Sequence, residues 1–485
     1  MLRLYPYFCG CIEDPVVAAS LKTLVVRNCT WTDFRGTSER TVSNDEETAL
    51  REREATHQAL LTHVRGLGLS EPSTESVIAA LQNRRHTLLD EEPPAKSHGP
   101  FATAAAVVLL SLCPNIKTIH IDTLSHEGAL GEFLLMNNHN LLPSQHLQHL
   151  SSVICCPEES DQHGERQYAD VAVPDITRSF HRLPSIRSLS FVGVMLENGS
   201  HKTFLAPAAG TFTRLSFEHV DLTTVQIASI IRASSRLEGL SISLGGMYQL
   251  LGSSVHINPK TLGKCLHQHR TTLRVLDLDI EAATASEPEE EEDMFKDVNL
   301  DDSFEFDRWF HLEETVSVGR PLTFPMYDTR WYGGGIGSLR DFEALTRLTI
   351  QPAKLIGGDE AMWGTDLIFA FHGRPRLVDM LPPSLEYLCF YGYKRGKSAW
   401  LDEHVDELMM EKAEKLPKLR EIVGCGDGED SDEEDDEDDE DEWDPSDQEH
   451  LWEEDDERFW ARPRQALGWV EVEADASAMS TLSIR

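Results

Sequence analysis

Histidines and cysteines are the first residues to consider for metal chemistry. They occur close together at His146/His149, Cys265/His267/His269, Cys9/Cys11 and Cys155/Cys156. Neither histidine group supplies four converging ligands, since residues two apart on a predicted helix face different ways. The cysteine pairs lack the C-x-x-C spacing typical of structural zinc. We therefore expect no metal site.

No segment carries the pattern of an enzyme active site. The glycine-rich segment 333–338 resembles a phosphate-binding loop only in glycine content, because no lysine follows it. The motifs G-x-S-x-G and H-E-x-x-H do not occur, and the carboxylates are so numerous that any chosen pair would be arbitrary. We expect a protein that is not an enzyme, with no catalytic residues and no cofactor.

The charge of the chain limits its partners. The sequence has 83 acidic and 44 basic residues and a formal net charge of -39, so it should repel nucleic acid and anionic membranes. The longest apolar stretch, 102–113, is far shorter than the roughly 20 residues of a membrane helix. Nine cysteines without a spacing framework favour free thiols in a reducing compartment. We expect an intracellular protein that is cytoplasmic, nuclear or both.

Residues 427–442 form an acidic run with 14 acids in 16 positions, and the total reaches 22 by residue 457 without a lysine or arginine. Like charges at this density repel one another, which indicates a disordered segment. The segment is interpreted either as a solubility spacer or as a site that captures basic proteins such as histones. Ser431 precedes three acids and is a candidate for phosphorylation.

The elements that would position a binding surface are indicated by a repeated pattern, L-x-x-L-x-φ, in which φ is apolar. Its clear copies begin at Leu21, Ile116, Ile186, Phe212, Leu237, Leu273, Leu345 and Leu385, with weaker ones at Leu147 and Leu419. A short half-buried strand that recurs in this way is typical of a leucine-rich repeat. Helical patterns precede several copies, and a proline often separates helix from strand, as at Pro114 and Pro184.

These patterns predict an α/β fold, an irregular leucine-rich repeat solenoid with a curved parallel sheet on its concave side and helices on its convex side. The solenoid should occupy 1–424, with disordered insertions near 37–47, 90–100 and 284–302. An acidic disordered tail should follow at 425–457, and a partly disordered C-terminal segment at 458–485. A further, hidden repeat is conceivable at 63–69.

Strand alternation predicts which residues face the concave side, since successive side chains point to opposite faces. Within each copy the second apolar position should be buried and its neighbours presented. The predicted protein-binding residues are Ser190, Arg214, Ser216, Ser241, Asp277, Asp279, Arg347, Tyr387 and Tyr391. Because Arg and Tyr dominate many interfaces, the region of Arg347, Tyr387 and Tyr391 is the predicted hot spot.

The order of segments 104–121, 183–191, 272–280, 337–350 and 379–388 resembles the leucine-rich repeat part of fungal F-box proteins. The resemblance implies a solenoid that selects a protein substrate for a ubiquitin ligase. The F-box that would dock on the ligase is not recognisable in the 20 residues before the first repeat. The layout of repeats followed by dense acid is also similar to acidic leucine-rich nuclear phosphoproteins, which bind histones.

We therefore expect a protein-protein interaction solenoid that binds neither nucleic acid nor membrane. Substrate recognition for a ubiquitin ligase, with ligase components as partners, is the leading role. An acidic adaptor or chaperone that binds basic nuclear proteins is the alternative.

Overall fold

The computed structural model describes residues 4–26, 54–89, 99–122, 128–157, 167–196, 205–245, 257, 259–280, 335–356, 376–425 and 481–484. The helices are α1 (Leu4–Glu13), α2 (Pro15–Ser20), α3 (Glu54–Arg65), α4 (Glu71–Leu89), α5 (Gly99–Leu112), α6 (Ala129–Asn138), α7 (Val173–Phe180), α8 (Thr224–Ala233), α9 (Pro259–His267), α10 (Pro352–Ile356), α11 (Leu377–Met380) and α12 (Ala399–Lys415). The strands are β1 (Thr23–Val26), β2 (Thr118–Ile121), β3 (Ser152–Cys155), β4 (Ala169–Val171), β5 (Ser188–Val192), β6 (Val194–Leu196), β7 (Arg214–Val220), β8 (Gly239–Leu244), β9 (Val275–Asp279), β10 (Arg347–Ile350), β11 (Tyr387–Phe390), β12 (Glu421–Val423) and β13 (Thr481–Ile484).

A large open parallel sheet organises the molecule. It has eleven strands in the order β12-β11-β10-β9-β8-β7-β5-β3-β2-β1-β13. From β1 to β12 each strand pairs with the next one along the chain, apart from β4 and β6, which form a separate two-stranded parallel sheet. The α/β class and the parallel sheet expected from the repeated pattern are confirmed.

The repeated pattern locates the strands well, with one shift and one error. Nine of the ten predicted copies begin two residues before an observed strand, as Leu21 precedes Thr23. The weak copy assigned to Leu147 is displaced by three residues, because β3 begins at Ser152 and its copy therefore begins at Leu150. The hidden copy at 63–69 is wrong, since α3 continues to Arg65 and a turn follows it.

The predicted insertions and tail lie almost entirely outside the described residues. Segments 37–47, 284–302 and 426–457 belong there, and Ser431 with them. The last two residues of the predicted insertion at 90–100 are the start of α5, so that insertion is wrong at its end. The C-terminal segment contains β13, which the pattern did not predict. This strand pairs in parallel with β1, Thr481 opposite Thr23, at the far edge of the sheet from β12.

One face of the sheet forms the core together with the helices. In most copies the second and third apolar positions are buried in one continuous cluster, as Leu240 and Ile242 of β8 illustrate. Successive helices contact one another beside the sheet, from α5 to α9 and again from α10 to α12. Burial of apolar side chains at about 25 cal/mol per Å² is the main stabilising contribution to such a stack.

Local sequence features end and space the helices. Helix α8 begins with a capping box, in which the Thr223 side chain accepts from the Gln226 backbone N–H and the Gln226 side chain returns the bond. Gly263 in α9 lies where a Cβ would come within 1.8 Å of the Ile336 carbonyl oxygen. The absence of a side chain there lets the chain that leads into β10 pass directly against the helix.

Candidate protein-binding face

The polar face is the sheet surface opposite the core, made by the alternate strand positions. Seven residues of this face, one from each of seven strands, lie side by side across the sheet. We call them the middle row. The members are Ser190, Ser216, Ser241, Asp277, Thr349, Cys389 and Val423. Another row of side chains lies two residues earlier in the strands, and we call it the first row because it stands at the start of each strand. Its members from β5 to β11 are Ser188, Arg214, Gly239, Val275, Arg347 and Tyr387.

Eight of the nine predicted binding residues occupy the alternate strand positions that make up this face, and Tyr391 directly follows β11 in the same alternation. Their predicted presentation to a partner is wrong for four of them. Ser216, Ser241, Asp277 and Asp279 are buried, with 7 to 9 % of their surface exposed. Ser190, Tyr387 and Tyr391 are half-buried, and Arg214 and Arg347 are exposed. The face therefore has a covered centre.

A tyrosine covers that centre. The Tyr391 hydroxyl donates to Asp277 Oδ1 at 2.8 Å. Tyr391 directly follows β11 and Asp277 belongs to β9, so the side chain must reach across β10, a distance of about 10 Å at the usual strand spacing. Thr349 of β10, which lies between them, is only 3 % exposed. The hydroxyl expected to contact a partner is instead bound within the sheet.

The Asp277 carboxyl has a perturbed pKa. Burial raises the pKa of Asp277 to about 6, against the hydrogen bonds from Tyr391 and Ser241, which favour the carboxylate. The nearby Glu218 carboxylate raises the pKa further. In turn, burial and the Asp277 charge raise the pKa of Tyr391. The Asp277 carboxyl therefore ionises near neutral pH while it is covered by Tyr391 and hydrogen-bonded to its hydroxyl.

Neighbouring polar groups complete this buried cluster. Gln351 Nε2 donates to Asp279 Oδ1 at 3.0 Å, and Ser216 Oγ donates to Glu218 Oε1 at 3.0 Å. Burial raises the pKa of the Cys389 thiol, which keeps it in the uncharged form. Because the polar atoms bond to one another, the centre of the face is a structural network.

Two of the predicted binding residues on the face are exposed arginines, and a half-buried tyrosine lies beside one of them. Arg214 and Arg347 belong to the first row and are separated by Gly239 and Val275, so their backbones lie about 14 Å apart at three strand spacings. Tyr387 stands beside Arg347, and burial raises its phenol pKa to about 12, so it stays protonated. Arg and Tyr are the residue types that dominate many protein interfaces, so the hot spot at this set stays a prediction.

Sequence reasoning did not include Glu218, Thr349, Gln351 or Cys389 among the site residues. The alternation already placed them on the polar face. No local signal indicated that they would join Asp277 and Asp279, because the contacts link strands up to 114 residues apart.

The histidine and cysteine groups have structural surroundings. His269 is buried, with Nε2 3.0 Å from the Ile231 carbonyl oxygen and Nδ1 accepting from the Leu237 N–H at 3.3 Å. The sulfur atoms of Cys11 and Cys113 lie 4.0 Å apart as free thiols. Over the described ranges, no group of three His, Cys, Asp or Glu side chains could hold a metal ion.

The face and its core thus define an α/β protein with a large open parallel sheet. Comparisons of the chain with protein-family models, with curated proteins and with solved structures found no match. Among helices of the described ranges, none is both long and apolar enough to cross a membrane.

Proposed function

We propose that the chain is a non-enzymatic protein-interaction protein, built as an irregular leucine-rich repeat solenoid whose polar face binds a protein partner. The observation that carries the proposal is the set of exposed Arg214 and Arg347 and half-buried Tyr387, held in one row of a sheet that is backed by a buried apolar core. The backbone of a packed sheet is already ordered, so binding costs the rotamer freedom of these side chains and little further backbone entropy, which favours recognition.

Asp277 is the carboxyl whose pKa would best suit a catalytic base. Its place in the buried network supports a structural role and not a catalytic one. A carboxyl that titrates near pH 6 could serve as a general base. Asp277 is 7 % exposed, however, and Tyr391 occupies one of its oxygens. A substrate would have to displace the tyrosine before it reached the carboxylate.

Selection of a substrate for a ubiquitin ligase is the role we favour, because the order of repeats resembles that of fungal F-box proteins. A second candidate, binding of basic nuclear proteins, is favoured by the 22 acids between residues 427 and 457. The two roles use different parts of the chain. The first depends on the polar face, and the second on the acidic run and on low salt.

Affinity purification with the wild type and three variants of the whole chain tests the choice. The wild type is compared with Arg347→Ala/Tyr387→Ala and with a variant in which the acids of 427–442 become Asn and Gln. Arg65→Ala, at an exposed position of α3, is the matched control. Each is washed at about 0.15 M and about 0.5 M salt, where the screening length falls from about 8 Å to about half that value.

If the polar face recognises the partner, the partner should stay bound at high salt and to the variant without the acids. It should not co-purify with Arg347→Ala/Tyr387→Ala. Recovery of a ligase adaptor would support the favoured role. The alternative role predicts that basic proteins co-purify with the wild type and with the face variant Arg347→Ala/Tyr387→Ala. These proteins should be lost at high salt and from the variant without the acids, which would assign the function to the acidic run. Truncation at residue 424 is avoided, because it would also remove β13 from the sheet edge.

A further inference from the structure

A basic band runs along the sheet at the amino ends of its strands. The band consists of two rows. One is the amino row, the residues that directly precede each strand, and the other is the first row defined above. The bases in these two rows are Lys22, Lys117, Arg187, Arg214, Arg274, Arg347 and Arg420, and all seven are exposed. In the repeated pattern L-x-x-L-x-φ, each of them occupies one of the two variable positions between the leucines.

Backbone hydrogen bonds hold the amino row in line. Lys117 N–H donates to the Lys22 carbonyl at 2.7 Å, and the bonds continue from strand to strand until Arg420 N–H donates to the Glu386 carbonyl at 2.9 Å. The row therefore crosses nine strand intervals, or about 43 Å at the usual spacing. Bases far apart in sequence become neighbours on one rigid edge.

Few acids interrupt this band. The acids of the two rows are Glu238, Glu386 and Glu421, and Glu238 is paired with Arg236 at 3.0 Å. The other two lie on β11 and β12, at one end of the sheet. From β1 to β10 the band is thus positively charged, in a chain whose net charge is -39. A concentrated basic surface on so acidic a chain favours an anionic occupant.

The chain's own acidic segment matches the band in charge, in length and in attachment. The run 427–442 reaches about 55 Å when extended, at about 3.4 Å per residue, which is sufficient for the band. The chain leaves the sheet after Val423 of β12 and returns at Thr481 of β13. Thr481 pairs with Thr23, directly after Lys22. The two ends of the intervening segment are therefore attached at opposite edges of the sheet.

We propose that the basic band binds the acidic segment 427–457 of the same chain. Attachment at both ends gives the segment a high effective concentration at the band, so an acidic protein in solution would compete poorly. A basic partner of the segment would have to displace the band, and an acidic partner of the first row would have to displace the segment. The two surfaces considered under the proposed function are thereby coupled.

Zero-length carbodiimide crosslinking of the full chain tests this, because the reagent joins a carboxylate to a lysine amine that it touches. An equal mixture of isotope-labelled and unlabelled protein distinguishes links within a chain from links between chains. We expect links from Lys22 and Lys117 to acids of 427–457, within one chain. Their yield should fall at least fivefold in Arg187→Glu/Arg274→Glu, which keeps both lysines and reverses the charge further along the amino row, before β5 and β9.

The matched control is Arg65→Glu/Arg178→Glu, which reverses two exposed bases on α3 and α7 and should leave the yield unchanged. Thermal unfolding of each variant checks that the sheet is intact. Absence of the links, links only between different chains, or equal loss in the control would overturn the proposal. The band would then be open to an acidic partner in solution.

Discussion

Replacement of Asp277 by Asn should stabilise the protein at neutral pH, although it removes a hydrogen-bonded side chain from a buried network. The pKa of Asp277 is about 6 in the folded protein, against 3.8 for an ordinary Asp. Folding therefore takes up a proton between about pH 4 and pH 6, and the free energy of unfolding falls as pH rises through that window. Above it the buried charge costs about 3 kcal/mol, at 1.36 kcal/mol for each pKa unit.

Asp277→Asn keeps an oxygen to accept from Tyr391 and carries no charge. We expect the variant to gain up to about 3 kcal/mol at pH 7.5 and almost nothing near pH 4, where the wild-type carboxyl is already neutral in the folded state. Urea unfolding at both pH values, followed by circular dichroism, gives the difference between variant and wild type. Taking this difference cancels the titration of the other acids.

Asp406→Asn is the control, since it removes one charge from an exposed ion pair with Arg395 and should change stability by less than about 1 kcal/mol at either pH. If Asp277→Asn proves no more stable than wild type at pH 7.5, burial does not dominate the pKa of Asp277. The account of Asp277 as a buried carboxyl whose ionisation lowers the stability of the fold would then fail.

Four further variants test the packing by the same unfolding assay. Leu240→Ala should cost about 2 to 5 kcal/mol through a core cavity, whereas Ser190→Ala on the polar face should cost little, and equal losses would contradict the assigned register. Thr223→Ala should cost about 1 kcal/mol by removing the N-cap of α8, and an unchanged midpoint would argue against the capping box. Gly263→Ala should destabilise, because the clash with Ile336 outweighs the gain of about 1 kcal/mol in helix propensity; a stabilised variant would mean that this approach is looser.

The sequence predicted most of the strands because the apolar positions within each strand indicate which of its side chains are buried. An L-x-x-L-x-φ copy has apolar residues where the core lies, and nine of the ten copies begin two residues before a strand. The copy near Leu147 was misplaced because Leu150 satisfies the same pattern three residues later. All nine predicted face residues lie at alternate positions of the strands that the copies locate, or directly after one of these strands.

The tertiary structure alone decided what those face residues contact. Asp277 and Tyr391 are 114 residues apart, and only the parallel register brings them across β10 to form a buried bond. In the same way, Lys22 and Arg420 belong to one basic band because the backbone ladder aligns every copy. Local periodicity determines which side of a strand is buried, while contacts between strands depend on how the whole sheet is assembled. The return of β13 to the edge at β1 is of this second kind, since it depends on an unpaired sheet edge and not on its own four residues.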